Sequence, residues 1–225
     1  MRIVNYGHSC LGIELNDAHL LIDPFITPNP KASHIDVEKI KANYILITHA
    51  HYDHVMDVKY FAEKENASLI ANHEIIQYYD QQGIKGHAMN PGGSFDFPFG
   101  TLKMVTAVHS SSFPDGTYGG NPCGFIIQSN DKTIYIAGDT ALTMDMKLIP
   151  LFYKLDLAVL PIGGNFTMDA KEAVIAAEFL ECDKVLGVHY DTSPQIAIDH
   201  KAAKQIFDEN NKELILLDIG QQLVV

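Results

Sequence analysis

The chain has 225 residues, 47% of them hydrophobic, so it can bury one sizeable core and is predicted to form a single domain over residues 1–225. Its formal net charge is −12 and it has no basic run that could follow a phosphate backbone, which argues against a nucleic-acid partner. The longest apolar runs are strand-length, far short of the roughly 20 residues that cross a bilayer, so no membrane partner is expected either.

The beginning of the chain and the cysteines favour a cytoplasmic protein. Residues 1–6 lead directly into strand-like sequence, without the basic and apolar regions of a secretory signal. Cys10, Cys123 and Cys182 are widely separated and form no CxxC pair, which is typical of reduced thiols. A homo-oligomer is compatible with these features.

The first half of the chain is predicted to open with β-structure and to continue as α/β. Short β-rich runs, the first two of which lead into turns at Gly7 and at Asn16-Asp17, predict antiparallel strands at 2–6, 11–15 and 19–23. The later elements predicted in this half are a brief helix at 36–41, an apolar strand at 44–48, helices at 57–64 and 74–82, and a strand at 68–71.

The second half repeats this mixture and sets the expected fold class. Strands are predicted at 101–108, 123–129, 133–138, 156–161, 184–188 and 213–218, and helices at 170–180 and 199–209. Two β-rich halves that each carry helices predict an α/β protein, a four-layer αββα sandwich. The Pro- and Gly-rich segments 91–100 and 110–122 are predicted loops, and the second is a candidate substrate loop with Phe113 and Tyr118 as its large apolar contacts.

Three histidines and one aspartate fall within residues 49–54, where the apolar strand at 44–48 ends. Alternate side chains of an extended segment share one face, so His49 and His51 can reach one metal ion. The turn that follows would direct Asp53 and His54 toward a second ion. The hexapeptide therefore predicts a site for two metals.

Three further candidate ligands, His109, Asp139 and His189, each follow an apolar strand. Taken alone, a histidine at a strand end is often structural, and Asp139 could cap a helix that begins at Thr140. Burying five imidazoles and two carboxylates without a cation would be costly, however. The complete set therefore favours metal binding over a structural role.

The hexapeptide 49–54 followed by His109, Asp139 and His189 resembles the complete ligand series of the metallo-β-lactamase superfamily, over nearly the whole chain. The resemblance implies two divalent ions, zinc or manganese first and iron as an alternative. It implies that one ion takes His49, His51 and His109, that the other takes Asp53, His54 and His189, and that Asp139 bridges them. Asp23 resembles the first aspartate of that superfamily, which supports a ligand histidine, although a plain Asp-Pro turn explains it nearly as well.

Residues 7–10, 161–168 and 189–192 resemble a branch of small bacterial hydrolases that is similar to L-ascorbate-6-phosphate lactonase. In this branch His8 would be a substrate contact or proton donor, or would simply stabilise a tight turn. Asn165, Thr167 and Tyr118 are candidates for the substrate pocket, whereas Met168 suits either the pocket or the core.

The resemblance implies a hydrolase in which a metal-bound hydroxide cleaves an ester, lactone or phosphoester bond of a small, anionic metabolite. Asp53 would orient the attacking water, and His8 would assist catalysis. Common zinc β-lactamases carry a cysteine where Asp139 stands, so antibiotic hydrolysis is not expected. Two alternatives stay open, a metal-dependent dioxygenase on the same fold and a non-catalytic protein that binds a metal or ligand.

Overall fold

The computed structural model describes residues 1–15 and 18–225, which form two seven-stranded sheets with five α-helices. The strands of the first sheet are β1 (Arg2–Gly7), β2 (Cys10–Leu15), β3 (Ala18–Ile22), β4 (Tyr44–Leu46), β5 (Ser68–Asn72), β6 (Gly86–Met89) and the last strand of the chain, β14 (Gln222–Val224). Those of the second sheet are β7 (Ser94–Phe97), β8 (Gly100–Thr106), β9 (Cys123–Ser129), β10 (Lys132–Ile136), β11 (Leu157–Pro161), β12 (Lys184–Val188) and β13 (Glu213–Ile215). The helices are α1 (Tyr52–Val55), α2 (Val58–Glu65), α3 (His73–Asp80), α4 (Ala170–Phe179) and α5 (His200–Glu209).

Both sheets are mixed, with strand orders β14-β1-β2-β3-β4-β5-β6 and β13-β12-β11-β10-β9-β8-β7. The antiparallel opening is confirmed, because Ile13 on β2 pairs with Ile3 on one side and with Leu20 on the other. From β3 to β6 the pairing is parallel, as helical connections between strands require. The predicted turn at Asn16 and Asp17 lies outside the described residues.

Three apolar layers hold the sandwich together, one between the sheets and one outside each of them. Between the sheets, Ile22 and Leu46 of the first share a core with Phe125 of the second. Phe61 of α2 belongs to the core outside the first sheet, and Phe207 of α5 belongs to the core outside the second. This alternation of helix, sheet, sheet and helix confirms the αββα class.

Several local predictions were wrong. The predicted loop 91–100 contains β7, which forms a tight hairpin with β8, and the strands β6 and β14 were also missed. The predicted helix at 36–41 is only a 3-10 turn, Val37–Lys39. The alternative that Asp139 caps a helix, which the complete ligand set had already disfavoured, is excluded because the next helical turn begins at Met144 and is capped by the Thr143 side chain.

Within the described part of the chain, no helix combines the length and the apolarity that a bilayer crossing requires.

Candidate metal centre

The candidate ligands lie just beyond the ends of strands from both sheets. Residues 49–54 follow β4 and lead into the short helix α1, while His109 follows β8, Asp139 follows β10 and His189 follows β12. Residues at strand ends are held by the ladder behind them, which gives side chains from distant parts of the sequence a rigid base. The sandwich thereby brings all seven predicted ligands to one place.

The first group of ligands consists of His49, His51 and His109, which offer nitrogen atoms that lie within 4.8 Å of one another. The His49 side chain is fully buried, whereas those of His51 and His109 are partly exposed. His49 Nε2 lies 3.0 Å from His51 Nδ1, close enough for both to contact one ion. This is the set predicted for the first metal.

The second group consists of Asp53, His54 and His189, together with His8. Asp53 Oδ2 lies 3.9 Å from His54 Nε2 and 3.7 Å from His189 Nε2. His8 approaches more closely, with its Nε2 atom 2.8 Å from the same Asp53 oxygen. The structure therefore brings the predicted second set together and places His8 beside its carboxylate.

Asp139 lies between the two groups. Its Oδ2 atom is 2.9 Å from His189 Nε2 and 3.4 Å from His54 Nε2, both in the second group. The same atom is 3.7 Å from His109 Nε2 and 3.9 Å from His49 Nε2, both in the first. One buried carboxylate oxygen thus faces four imidazoles, the position that a bridging ligand needs.

The pKa shifts show where this centre attracts positive charge. Burial lowers the pKa of His49 well below its usual value, so this ring is a neutral nitrogen donor. Burial also lowers the pKa of His54, but Asp139 and Asp23 outweigh it and hold that pKa well above the usual value. For His189, burial again opposes the effect of Asp139, and the pKa is raised to about 9. The centre therefore stabilises a cation beside Asp139.

The carboxylates show the complementary behaviour. Burial would raise the pKa of Asp139, but the neighbouring His189 and His54 rings hold it well below its usual range. Burial likewise opposes the low pKa of Asp53, which the imidazoles of His189 and His8 produce. Both groups are thus ionised, as metal-ligating carboxylates must be.

Two buried atoms indicate that the residues fit a metal ion. His54 Nε2 and Asp139 Oδ1 have no hydrogen-bond partner among residues 1–15 and 18–225. Buried polar atoms are rarely left unpartnered, and imidazole nitrogen and carboxylate oxygen are ligands for zinc and related divalent ions. The donor set therefore matches a divalent cation in charge and in chemistry.

Asp23 supports the centre from behind. Its Oδ2 atom lies 2.9 Å from His54 Nδ1, and its two oxygens accept hydrogen bonds from the Thr48 amide and hydroxyl at 2.8 and 2.6 Å. Thr48 Oγ1 is in turn 3.0 Å from His49 Nδ1. Asp23 thus contacts His54 directly and reaches His49 through Thr48, a supporting residue that the sequence interpretation missed. Its signal was a hydroxyl directly before the first histidine.

Loop 110–122 also supports a ligand, which the sequence interpretation did not predict. Ser110 Oγ lies 3.2 Å from His51 Nε2, and Ser111 Oγ accepts a hydrogen bond from the Ala50 amide at 3.2 Å. Phe113, expected to contact substrate, is instead buried and stacks on Tyr78 with ring centroids 3.6 Å apart. The start of this loop therefore belongs to the scaffold.

The residues predicted for the substrate pocket lie further out. Tyr118 and Asn165 are exposed, and the Thr167 hydroxyl donates to the Met168 carbonyl at 3.3 Å. Among the described residues, none of these side chains makes a hydrogen bond with a metal ligand. Met168 is fully buried in the outer core of the second sheet, which supports the core interpretation for that residue.

Residues 19–190 match the family model of the beta-lactamase superfamily domain. The family match, the fold and the candidate metal centre therefore agree that this protein is a member of that superfamily. More closely, the chain belongs to the UPF0173 metal-dependent hydrolase family. It is 56% identical over 223 residues to the family member of Flavobacterium johnsoniae, with 99% of both chains covered. It is 43% identical to the member of Methylacidiphilum infernorum, with both chains fully covered.

A solved structure supports the same assignment. Igni18, a metallo hydrolase from the hyperthermophilic archaeon Ignicoccus hospitalis, superposes with a TM-score of 0.89 at 32% sequence identity. The match covers 99% of this chain and 97% of that one. The superfamily resemblance and the metal-dependent hydrolase class are therefore confirmed.

Proposed function

We propose that this protein is a dinuclear hydrolase that cleaves an ester, lactone or phosphoester bond in a small, anionic metabolite. The observation that carries the proposal is the position of Asp139 Oδ2, within 4 Å of imidazoles from two separate ligand groups. A mononuclear site would need only one of these groups. Zinc and manganese suit the imidazole and carboxylate donors best, with iron as the third choice.

When bound, two divalent ions supply a water of lowered pKa and Lewis acidity toward a carbonyl or phosphoryl oxygen. The residues of the chain position these components. Asp139 lies between the two groups and faces imidazoles of both. The Asp53 carboxylate, held by His8, faces the histidines of the second group. The buried rings of His49 and His54 keep bulk water from one side of the centre, which strengthens its electrostatic interactions.

The substrate class follows from charge and from resemblance. A pair of divalent ions attracts a phosphate or carboxylate even in a protein with net charge −12. Segments 7–10, 161–168 and 189–192 resemble a branch of small bacterial hydrolases that is similar to L-ascorbate-6-phosphate lactonase, and this resemblance favours a phosphorylated lactone or a related ester. We also propose a cytoplasmic location, because Cys10, Cys123 and Cys182 are all free and buried. Nucleic acids and membranes are not proposed partners.

The test couples metal analysis of the purified protein to kcat/KM measurements on lactones, phosphodiesters, thioesters and amides. We expect close to two divalent ions per chain and the highest kcat/KM on a small anionic ester or lactone. A fully active preparation without metal would refute the mechanism. Oxygen consumption with a single bound iron would favour the dioxygenase, and full metal content without turnover of any substrate would favour a binding protein.

A further inference from the structure

We infer that Thr192 is a positioning residue of the metal centre, whose hydroxyl fixes the tautomer and orientation of His8 so that His8 holds Asp53. The observed chain of contacts runs from Thr192 Oγ1 to His8 Nδ1 at 2.9 Å, and from His8 Nε2 to Asp53 Oδ2 at 2.8 Å. The inference rests on the proposed function only in treating Asp53 as a metal ligand.

The backbone brings Thr192 to this position through two tight turns that meet. His8 and His189 both adopt positive φ angles, of 57° each, and the His189 amide donates to the His8 carbonyl at 3.0 Å. Asp191 also has a positive φ, of 59°, so the chain after β12 turns back toward the β1–β2 connection. Such conformations are uncommon for residues other than glycine, and here they place the Thr192 hydroxyl next to the His8 ring.

The His8 ring has little freedom to find other partners. Its side chain is 3% exposed, and it packs against Phe25 and against the His189 ring, with centroid distances of 5.6 and 4.1 Å. A buried ring nitrogen without a partner would cost free energy, so both nitrogens need one. Asp53 and Thr192 are the partners that the structure provides.

The direction of each hydrogen bond follows from the chemistry of the groups. An ionised carboxylate only accepts, so neutral His8 must carry its hydrogen on Nε2 and donate it to Asp53. Nδ1 then has a lone pair and needs a donor, which the Thr192 hydroxyl supplies. The Tyr190 carbonyl oxygen, at 3.4 Å, competes as an acceptor for the hydroxyl hydrogen.

That second acceptor separates two roles for His8. If His8 Nε2 bound a metal ion directly, Nδ1 would carry the hydrogen and donate to Thr192, whose own hydrogen would turn to Tyr190. If His8 instead supports Asp53, Nε2 carries the hydrogen and Thr192 donates to Nδ1. The tautomer of His8 therefore reports which role is correct.

The experiment compares the wild-type chain with Thr192→Val, which keeps the shape and removes the hydroxyl, and with Thr192→Ser, which keeps the hydroxyl. Thr101→Val is the matched control, because its hydroxyl bonds Asp96 on the distant β7–β8 hairpin. Two measurements are made on the full chain. The first is the ¹⁵N imidazole spectrum of His8 in chelator-treated and zinc-loaded protein, and the second is stepwise zinc affinity by competition with a chelator.

We expect the Nε2–H tautomer of His8 in both wild-type states. Thr192→Val should shift the His8 Nδ1 resonance and weaken one zinc-binding step by roughly threefold to tenfold, less than loss of a direct partner of a ligand. Thr192→Ser should restore both values, and Thr101→Val should change neither. A role in the turn alone, through the Tyr190 carbonyl, would also be rescued by Thr192→Ser, but it would leave the His8 Nδ1 resonance unchanged in Thr192→Val.

An unchanged His8 resonance and unchanged zinc affinity in Thr192→Val would overturn the inference, as would an Nδ1–H tautomer in zinc-loaded wild type. Failure of the proposed function gives a different result. If wild type binds fewer than two zinc ions, the dinuclear hydrolase is refuted, while the chelator-treated spectra still decide whether Thr192 sets the tautomer of His8.

Discussion

The two ligand groups of the metal centre are held by the protein in different ways. In the second group, His54 is backed by Asp23 and Asp53 is backed by His8, and the supporting side chains are themselves buried. In the first group, Thr48 gives His49 buried support, whereas the Ser110 hydroxyl beside His51 is exposed. His51 and His109 of the first group are partly exposed, as is Asp53 of the second, whereas His54 and His189 are buried.

This difference predicts that the two groups differ in how strongly they retain a metal ion and in how open they are to a substrate. Buried side chains hold His54 and Asp53 in place, so these two ligands lose less conformational freedom when an ion binds. The exposed side of the first group, where Ser110 of the loop meets His51, is the side that a substrate can approach. We therefore expect the second group to retain its ion more strongly and the first group to be more sensitive to the loop.

The largest effect is expected for Asp139→Asn, which removes the charge shared by both groups. Without it, the four facing imidazoles lose their common anion, so affinity for both ions and kcat/KM should each fall about 100-fold or more. Metal content by mass spectrometry and steady-state kinetics measure this. Asp145→Asn, an exposed aspartate on the next helical turn, is the control with the same charge change. Two tightly bound ions in Asp139→Asn would contradict the bridging role.

A smaller effect is expected for Asp23→Asn, which tests whether support from behind favours the second group. The amide has one oxygen for the donors at Thr48 and His54, and its NH₂ group would face one of them. Affinity for one ion should fall by about 10- to 100-fold and stability by about 1–3 kcal/mol. Chelator competition and thermal unfolding report the two losses. Equal weakening of both binding steps would show that support through Thr48 matters as much as direct contact with His54.

A modest effect is expected for Ser110→Ala, which removes the loop's contact with His51. This hydrogen bond is exposed and 3.2 Å long, so its loss should weaken one zinc-binding step by about threefold and leave the other unchanged. Isothermal titration calorimetry with zinc can resolve the two steps. Ser112→Ala, which removes a second hydroxyl from the same loop, is the control variant for this zinc titration. A selective effect on the more weakly bound ion would sharpen the contrast between the groups.

The sandwich and the clustering of the seven candidate ligands could be predicted because both depend on local sequence patterns. Apolar strand runs have a clear period, and the candidate ligands lie in the segments that follow β4, β8, β10 and β12. Their positions in the sequence therefore indicated that they meet in the fold. The short strands β6 and β14 lack such a pattern and owe their pairing to the neighbouring strands β5 and β1. Tertiary context decided these elements.

The supporting hydroxyls could not be predicted in the same way. Thr192 reaches His8 across 184 residues, and Ser110 reaches His51 across 59, so no local spacing connects the partners. Phe113 illustrates the opposite error. An aromatic residue in a polar loop suggested contact with substrate, but the loop folds back and buries that ring on Tyr78 of α3.

The smallest effect is expected for Tyr118→Ala, which tests whether the outer part of loop 110–122 selects substrates. Tyr118 is 62% exposed, and its hydroxyl donates to the nearby Asn121 side chain at 3.2 Å. Its removal should therefore leave zinc affinity and unfolding temperature unchanged, because exposed side chains contribute little to stability. If its ring contacts the substrate, the ratio of kcat/KM for a large ester to that for a small one should fall about threefold, mainly through KM.

Tyr118→Phe keeps the ring and should retain the wild-type ratio. The same ratio in all three proteins would place substrate selection elsewhere, whereas loss of zinc in Tyr118→Ala would mean that the whole loop, and not only its first residues, supports the first group.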